Sequence, residues 1–289
     1  MDQQQNLKKV ALYIKKMPSL PTSVAKVLEL SNDPNVSPAD LNQVISLDPV
    51  LMGKVLKLIN SAYYGLGQRI TSLVRAIIML GINTVKNLAL STAILSNLGS
   101  KTEMQVINMN GYWRHSLCVG VTAKLIAKKI GIPANQQESF FVAGLLHDIG
   151  KIPLNNTLSQ EYLEVLALSD HERLSLHKSE RRIIGFSHSD VGKLIAKSWK
   201  LSDDIHDAIA YHHRWEEYQG PHRLILLSVV AGNYFANSFE IGYSGNRFPE
   251  LIDQALFDEL NIDLYWLDSI EEQVNREIEK AKVFLKINE

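Results

Sequence analysis

Helix starts and stops punctuate the first half of this chain so densely that little room is left for a sheet. Ser37-Pro38-Ala39-Asp40 combines an N-cap serine, a proline at the first helical position and an acid three residues after the cap. Asp48-Pro49 repeats the device and opens a segment in which Val50, Leu51, Val55, Leu58 and Ile59 recur at helical spacing. Met17-Pro-Ser-Leu-Pro21 separates an amphipathic segment near Leu7 to Ile14 from a second at about Thr22 to Leu30, since proline cannot continue a helix. Thr71 or Ser72 caps a helix that ends at Gly81, and Asn83 is placed to cap another through Leu98. No strand-like alternation interrupts this series, so the fold class expected is all-α.

The second half continues in the same way. After a polar stretch at Gly99 to Asn110, helices are expected from about Tyr112 to Ile130, Asn135 to Asp148, Leu158 to Leu168 and His171 to Ile184, then from His188 through Trp199. Ser202 caps a helix holding Ile205, Ala208, Ile209 and His212, and Pro221 begins an apolar one running to about Phe239. Gly242 to Arg247 then links to two last helices. On the final one Leu267, Ile270, Val274, Ile278, Ala281 and Leu285 form a stripe, read as docking surface because it is too short for sustained heptads. The expected division is an N-terminal helical lobe over residues 1–108, a second helical lobe over 109–241 and a C-terminal extension over 242–289.

With 289 residues, the chain has room for two such lobes around a good core. Its 30 basic and 31 acidic residues nearly cancel, so no electrostatic case exists for nucleic-acid or anionic-membrane binding. A single cysteine, Cys118, excludes an intrachain disulfide and fits a reducing compartment. The opening Met1-Asp-Gln-Gln-Gln lacks the basic start and apolar run of a secretory signal. Apolar runs such as Leu224 to Ala231 fall short of the ~20 residues that span a bilayer, so no transmembrane helix and a cytoplasmic location are expected.

The chemistry concentrates at Phe140-Phe-Val-Ala-Gly-Leu-Leu-His-Asp-Ile-Gly-Lys151, where a histidine and an aspartate follow a strongly apolar helix. A carboxylate beside an imidazole in a core needs a partner, and a divalent cation supplies one. The competing reading is a helix end whose polar pair reaches solvent, with Gly150 as a left-handed cap and a solvated Lys151 complementing the helix dipole. Of the nine histidines, His115, His188 and His212 lie on helices beside core positions. His212 and His213 point about 100° apart on a helix and share one metal only if it lies between them. His171, His177, His206 and His222 sit in polar segments and are assigned to surface or capping roles.

Three segments carry a resemblance to a known family: Met17 to Leu28, Ile45 to Gly65 and Arg69 to Gly81. With them the chain resembles the HDOD domains of bacterial signalling, relatives of the HD phosphohydrolases and HD-GYP cyclic-dinucleotide phosphodiesterases. The likeness covers roughly residues 17–237, and His188-Ser-Asp-Val-Gly192, Trp199, Leu201 and His212-His213 look like the family's second lobe. It implies a multi-helix fold with an N-terminal helical lobe packed on an HD-like lobe. It also implies a ligand set. His115 matches the first HD histidine, His147 and Asp148 match the eponymous pair, and Asn233 falls where the last aspartate would be. Asp148, His188, His212 and His213 match a second cation position, with Asp148 bridging the two.

Imidazole-rich ligation suits iron, manganese, zinc or nickel, so one or two divalent ions are expected. Asn233 would weaken one position, since a neutral carbonyl replaces a carboxylate. Gly111 stands where trinuclear relatives carry an extra acid, which argues against a third metal. After His212-His213 the chain reads Arg-Trp-Glu-Glu-Tyr-Gln-Gly-Pro221, without the Gly-Tyr-Pro element. The resemblance therefore implies a regulatory module, leaning non-catalytic, with protein partners and with a nucleotide or phosphate as a ligand. Its alternative is a metal-dependent phosphohydrolase or phosphodiesterase in which Asp148 and Lys151 take part in the chemistry and Lys151 positions the phosphate.

Overall fold

The computed structural model describes residues 3–30, 35–98 and 106–286, and among these every regular element is helical. Part of the polar stretch at 99–110 lies outside the described residues. The first six helices are α1 (Gln3–Lys16), α2 (Thr22–Leu30), α3 (Pro38–Ser46), α4 (Pro49–Ile59), α5 (Leu73–Leu80) and α6 (Ile82–Leu98). Their caps follow the sequence closely. Ser37 and Asp40 exchange bonds in a capping box, and Asp48 Oδ1 accepts from the Leu51 N–H at 2.9 Å. Ser72, not Thr71, caps α5. The chain turns at Gly81 directly into α6, so Asn83 lies inside the first turn of α6 and does not cap it. Asp48 Oδ2 also accepts from Ser23 Oγ at 2.8 Å, which ties α2 to α4. Asp48→Ala is expected to cost about 1–2 kcal/mol, read as a lowered urea midpoint with an unchanged slope.

The next eight helices build the second half: α7 (Met109–Lys129), α8 (Gln137–Leu146), α9 (Lys151–Thr157), α10 (Ser159–Glu172), α11 (Leu176–Ile183), α12 (His188–Ser198), α13 (Asp203–Tyr211) and α14 (Arg223–Ser238). The central helix is α7, which is buried on most of its circumference and packed by α8 and α14. Helices α7 and α8 approach closely because both are glycine where they meet. A Cβ on Gly144 would stand 2.7 Å from Gly120 Cα, and one on Gly120 would stand 2.6 Å from the Phe141 carbonyl oxygen. Any larger residue would drive the two helices apart.

Three helices, not the two expected, complete the chain: α15 (Gln254–Leu260), α16 (Leu264–Ser269) and α17 (Glu271–Ala281), followed by a 3-10 turn at Lys282–Phe284. The apolar stripe is broken at Ile270, between α16 and α17, yet it serves as docking surface as expected: Leu267, Val274, Ile278 and Ala281 are buried, and α17 lies on α7. Phe284 is fully buried, its ring 5.2 Å from Tyr63 and 4.9 Å from Phe141. Beside them Lys124 forms a half-buried ion pair with Glu138 at 2.6 Å and donates to Tyr63 Oη at 3.1 Å. At the other end α1 crosses to the second half and packs on α9, where Asn156 Nδ2 donates to Tyr13 Oη at 3.0 Å. Among the described residues no single helix is long and apolar enough to cross a membrane.

Candidate metal centre

The stretch from His147 to Gly150 does not continue α8. Helix α8 ends at Leu146, two tight turns follow, and α9 starts at Lys151, a short helix that sequence spacing did not suggest. Gly150 has φ −66, so it is not a left-handed cap. Its requirement is steric: a Cβ there would overlap the His188 carbonyl oxygen and stand 2.6 Å from the Gly192 N–H nitrogen. That close approach pins the start of α12 against the start of α9. The solvent-reaching helix end is excluded, because His147, Asp148 and Lys151 are at most 2% exposed. Lys151 is not solvated either. Its ammonium lies 2.6 Å from Asp148 Oδ2.

Asp148 sits at the centre of a ring of imidazoles drawn from α7, the α8–α9 turn, α12 and the end of α13. Its Oδ2 lies 3.3 Å from His147 Nε2 and 3.7 Å from His115 Nε2, and its Oδ1 lies 3.1 Å from His188 Nε2 and 3.8 Å from His212 Nε2. His188 Nε2 is 3.2 Å from His212 Nε2 and 3.0 Å from His213 Nε2. The far side of each ring sets its tautomer. His147 Nδ1 faces the Gly144 carbonyl at 2.7 Å, His212 Nδ1 faces the Ile209 carbonyl at 2.9 Å, and His188 Nδ1 faces Glu180 Oε2 at 2.7 Å. These oxygens only accept, so each Nδ1 carries a proton, which in the neutral ring leaves the lone pair on Nε2. Three lone pairs and a carboxylate therefore face one another. Consistent with this, His115 Nε2, His147 Nε2 and Asp148 Oδ1 are buried without a hydrogen-bond partner.

That donor set fits a transition-metal ion: neutral imidazoles already in the ligating tautomer, one carboxylate and second-sphere acceptors behind the rings. Two groups of potential ligands have their atoms within 4.8 Å of one another, His188/His212/His213 and His115/His147/Asp148. Asn233, on α14, lines the same cleft and its Oδ1 accepts from Asn237 Nδ2 at 2.8 Å. The structure thus brings all seven sequence-selected residues to one cleft.

It also adds residues that sequence reasoning passed over. Glu180 is fully buried and accepts from the His188 N–H at 2.8 Å, from His188 Nδ1, and from Tyr162 Oη at 2.9 Å. Its signal was available, since it shares a helical face with Leu176, His177 and Ile184. His177, assigned above to a surface role, is only 5% exposed and stacks on His213 with centroids 4.1 Å apart and planes 16° from parallel. It was misassigned because Lys178, Arg181 and Arg182 make its helix look polar, while its own face is inward. With Glu250, His177 and His213 form a third close group. Lone pairs lie in ring planes, and two nearly parallel rings do not direct them to one point, so this group is a poor cation seat. His171 is exposed, and half-buried His206 and His222 flank Asp207 at 3.1 and 2.9 Å.

Burial holds His115 and His177 at about 3, against an ordinary value of 6.5, and pushes His212 and His213 well down as well. His188 differs: burial opposes its charge, but Glu180 and Asp148 raise it. The depressed histidines are protonated in the unfolded chain and neutral in the folded one between pH 6.5 and about 3. Their stability is complete above 6.5 and falls by roughly 1.4 kcal/mol per pH unit for each group as the pH drops. Chelator-treated protein is expected to lose urea resistance steeply between pH 6.5 and 5. A flat profile would contradict this burial.

The HDOD domain profile matches residues 17–215. The chain belongs to the HDOD family. A crystal structure of an HDOD domain protein of unknown function from Geobacter sulfurreducens superposes with a TM-score of 0.75 at 27% identity, covering 98% of both chains. A candidate phosphohydrolase from Shewanella amazonensis SB2B shares the fold at TM-score 0.69 and 18% identity, over 96% of this chain and 97% of its own. A candidate signal transduction protein from Marinobacter aquaeolei VT8 does so at 0.73 and 20%, over 99% of this chain and 66% of its own. An uncharacterised Treponema pallidum (strain Nichols) protein is 25% identical over 232 residues, 79% of this chain. This HDOD chain spans 43% of that relative's length.

Proposed function

We propose that this HDOD protein is a bacterial signalling or regulatory module, acting in the cytoplasm through protein partners, whose histidine cleft holds one or two divalent transition-metal ions and does not turn over substrate. The observation that carries the metal reading is the convergence of the His147, His188 and His212 lone pairs on Asp148, with their tautomers set by Gly144, Glu180 and Ile209. When bound, such an ion would supply Lewis acidity and a water of lowered pKa. His188, His212 and His213 would hold one ion and His115, His147 and Asn233 the other, with Asp148 between them.

The chain's own residues argue for regulation over turnover. Lys151 already neutralises the Asp148 oxygen nearest His147, and Asn233 is tied to Asn237 and brings no charge. A phosphoryl-transferring site needs full neutralisation of the developing charge. The test is metal analysis of protein purified without chelator, then anaerobic loading with iron or manganese and a screen of cyclic dinucleotides and nucleoside phosphates. Bound metal without turnover is expected. Metal-dependent turnover abolished in His147→Ala would establish the phosphohydrolase alternative, and no metal under any loading condition would defeat the metal reading. Glu180→Gln, which loosens the proton on His188 Nδ1, is expected to weaken metal binding about 10- to 100-fold in a competition titration. A Tyr162→Phe change, one bond further out, should do less.

A further inference from the structure

We propose that the mouth of the histidine cleft is a phosphate-binding subsite built by Lys178, His177 and Ser175, and that Glu250 fills it in the free chain as a tethered carboxylate. The cleft opens through a cavity of about 300 Å³ bounded by α11, α14 and the segment that follows residue 246. Lining it are two polar atoms that are buried and lack a hydrogen-bond partner, Ser175 Oγ and His177 Nδ1. A buried hydroxyl and a buried ring nitrogen left unpaired cost stability unless something enters to meet them. The carboxylate of Glu250 pairs with the Lys178 ammonium and lies 3.7 Å from His177 Nε2. It satisfies the charge and leaves both orphan atoms unmet.

The manner in which Glu250 is held points to a displaceable occupant. Asn246 is anchored, its Oδ1 accepting from the Leu176 N–H at 3.0 Å, and Leu256 is buried at the other end. Between them the chain arches over the mouth with Leu251 90% exposed. A leucine held in water, with only partly buried Ile252 beside it packed on the core, shows that apolar burial holds this arch lightly. The ion pair that holds Glu250 in the mouth is itself half exposed, and such pairs are weak. A phosphate brings more charge than a carboxylate and further acceptor oxygens, so it can take Lys178 from Glu250 and also accept from Ser175 Oγ–H and a His177 N–H. The cavity lies at the low end of the ~300–1,000 Å³ range of ligand sites, which suits inorganic phosphate or a small phosphomonoester and is too small for a cyclic dinucleotide. This subsite is separate from the metal reading and needs no ion in the cleft.

The experiment titrates inorganic phosphate into the chelator-treated full chain at fixed ionic strength, followed by isothermal calorimetry. Glu250→Gln removes the competing charge and is expected to tighten phosphate binding roughly tenfold, while Lys178→Met weakens it by a similar factor. Ser175→Ala should weaken phosphate binding without lowering the unfolding midpoint, since the hydroxyl it removes is unpaired in the free chain. Equal affinity in Glu250→Gln and the unchanged chain would overturn the proposal. So would phosphate binding that appears only after manganese is added, since the anion would then sit on the metal. Acetate competing as well as phosphate would overturn the assignment to phosphate.

Discussion

Replacing Asp148 by alanine is expected to cost about 3–5 kcal/mol, a large share of the stability of a chain this size. The loss comes less from the missing ion pair than from what remains. Lys151 is 2% exposed and has its ammonium 2.6 Å from Asp148 Oδ2, so the truncation strands a buried charge. The double variant Asp148→Ala/Lys151→Met should therefore recover most of the loss. Chemical denaturation of the four proteins closes the cycle. Near-additive effects would show that Lys151 is neutral or hydrated and that the pair is not coupled as the geometry requires.

Gly150→Ala is expected to be nearly as damaging, about 3 kcal/mol or more, at the upper end of overpacking costs. The added methyl would meet the His188 carbonyl and the Gly192 nitrogen, both backbone atoms that cannot rotate aside. Relief requires α12 to move away from α9, which withdraws His188 from Asp148. The variant should thus lose stability and shift the His188 ring resonances together. Gly53→Ala is the control, for an added Cβ there meets nothing within 4 Å on an exposed face of α4. It should stabilise the protein by about 0.5–1 kcal/mol. If both glycines respond alike, backbone entropy and not close approach governs position 150.

What could be read before the structure follows from which signals are local. The starts of α3, α4 and α5 were legible because a cap and its proline or N–H partner lie within three residues. The break after Leu146 was not, since nothing in the run from Phe140 to Lys151 shows that Gly150 must touch a carbonyl 38 positions later. The seven candidate ligands were legible through a family resemblance more than through spacing, because their convergence depends on five separate segments. His177 and Glu180 were missed for the opposite reason: a strongly charged helix hides an inward face on which polar groups sit between Leu176 and Ile184. Periodicity finds apolar faces and overlooks buried hydrogen-bond networks.

The aromatic contact of Tyr63, Phe141 and Phe284 bears on the order in which this molecule assembles. Its three members come from regions far apart in the chain, the last within a few residues of the final described position. Closing so distant a loop is entropically the costliest step and comes late. During synthesis the first helices emerge with Tyr63 unable to find its partner. The Lys124–Glu138 pair beside it waits as well, half wet, until the last turn arrives. The seam between the two halves is therefore expected to lock late in folding, once Phe284 has been made and closes over them.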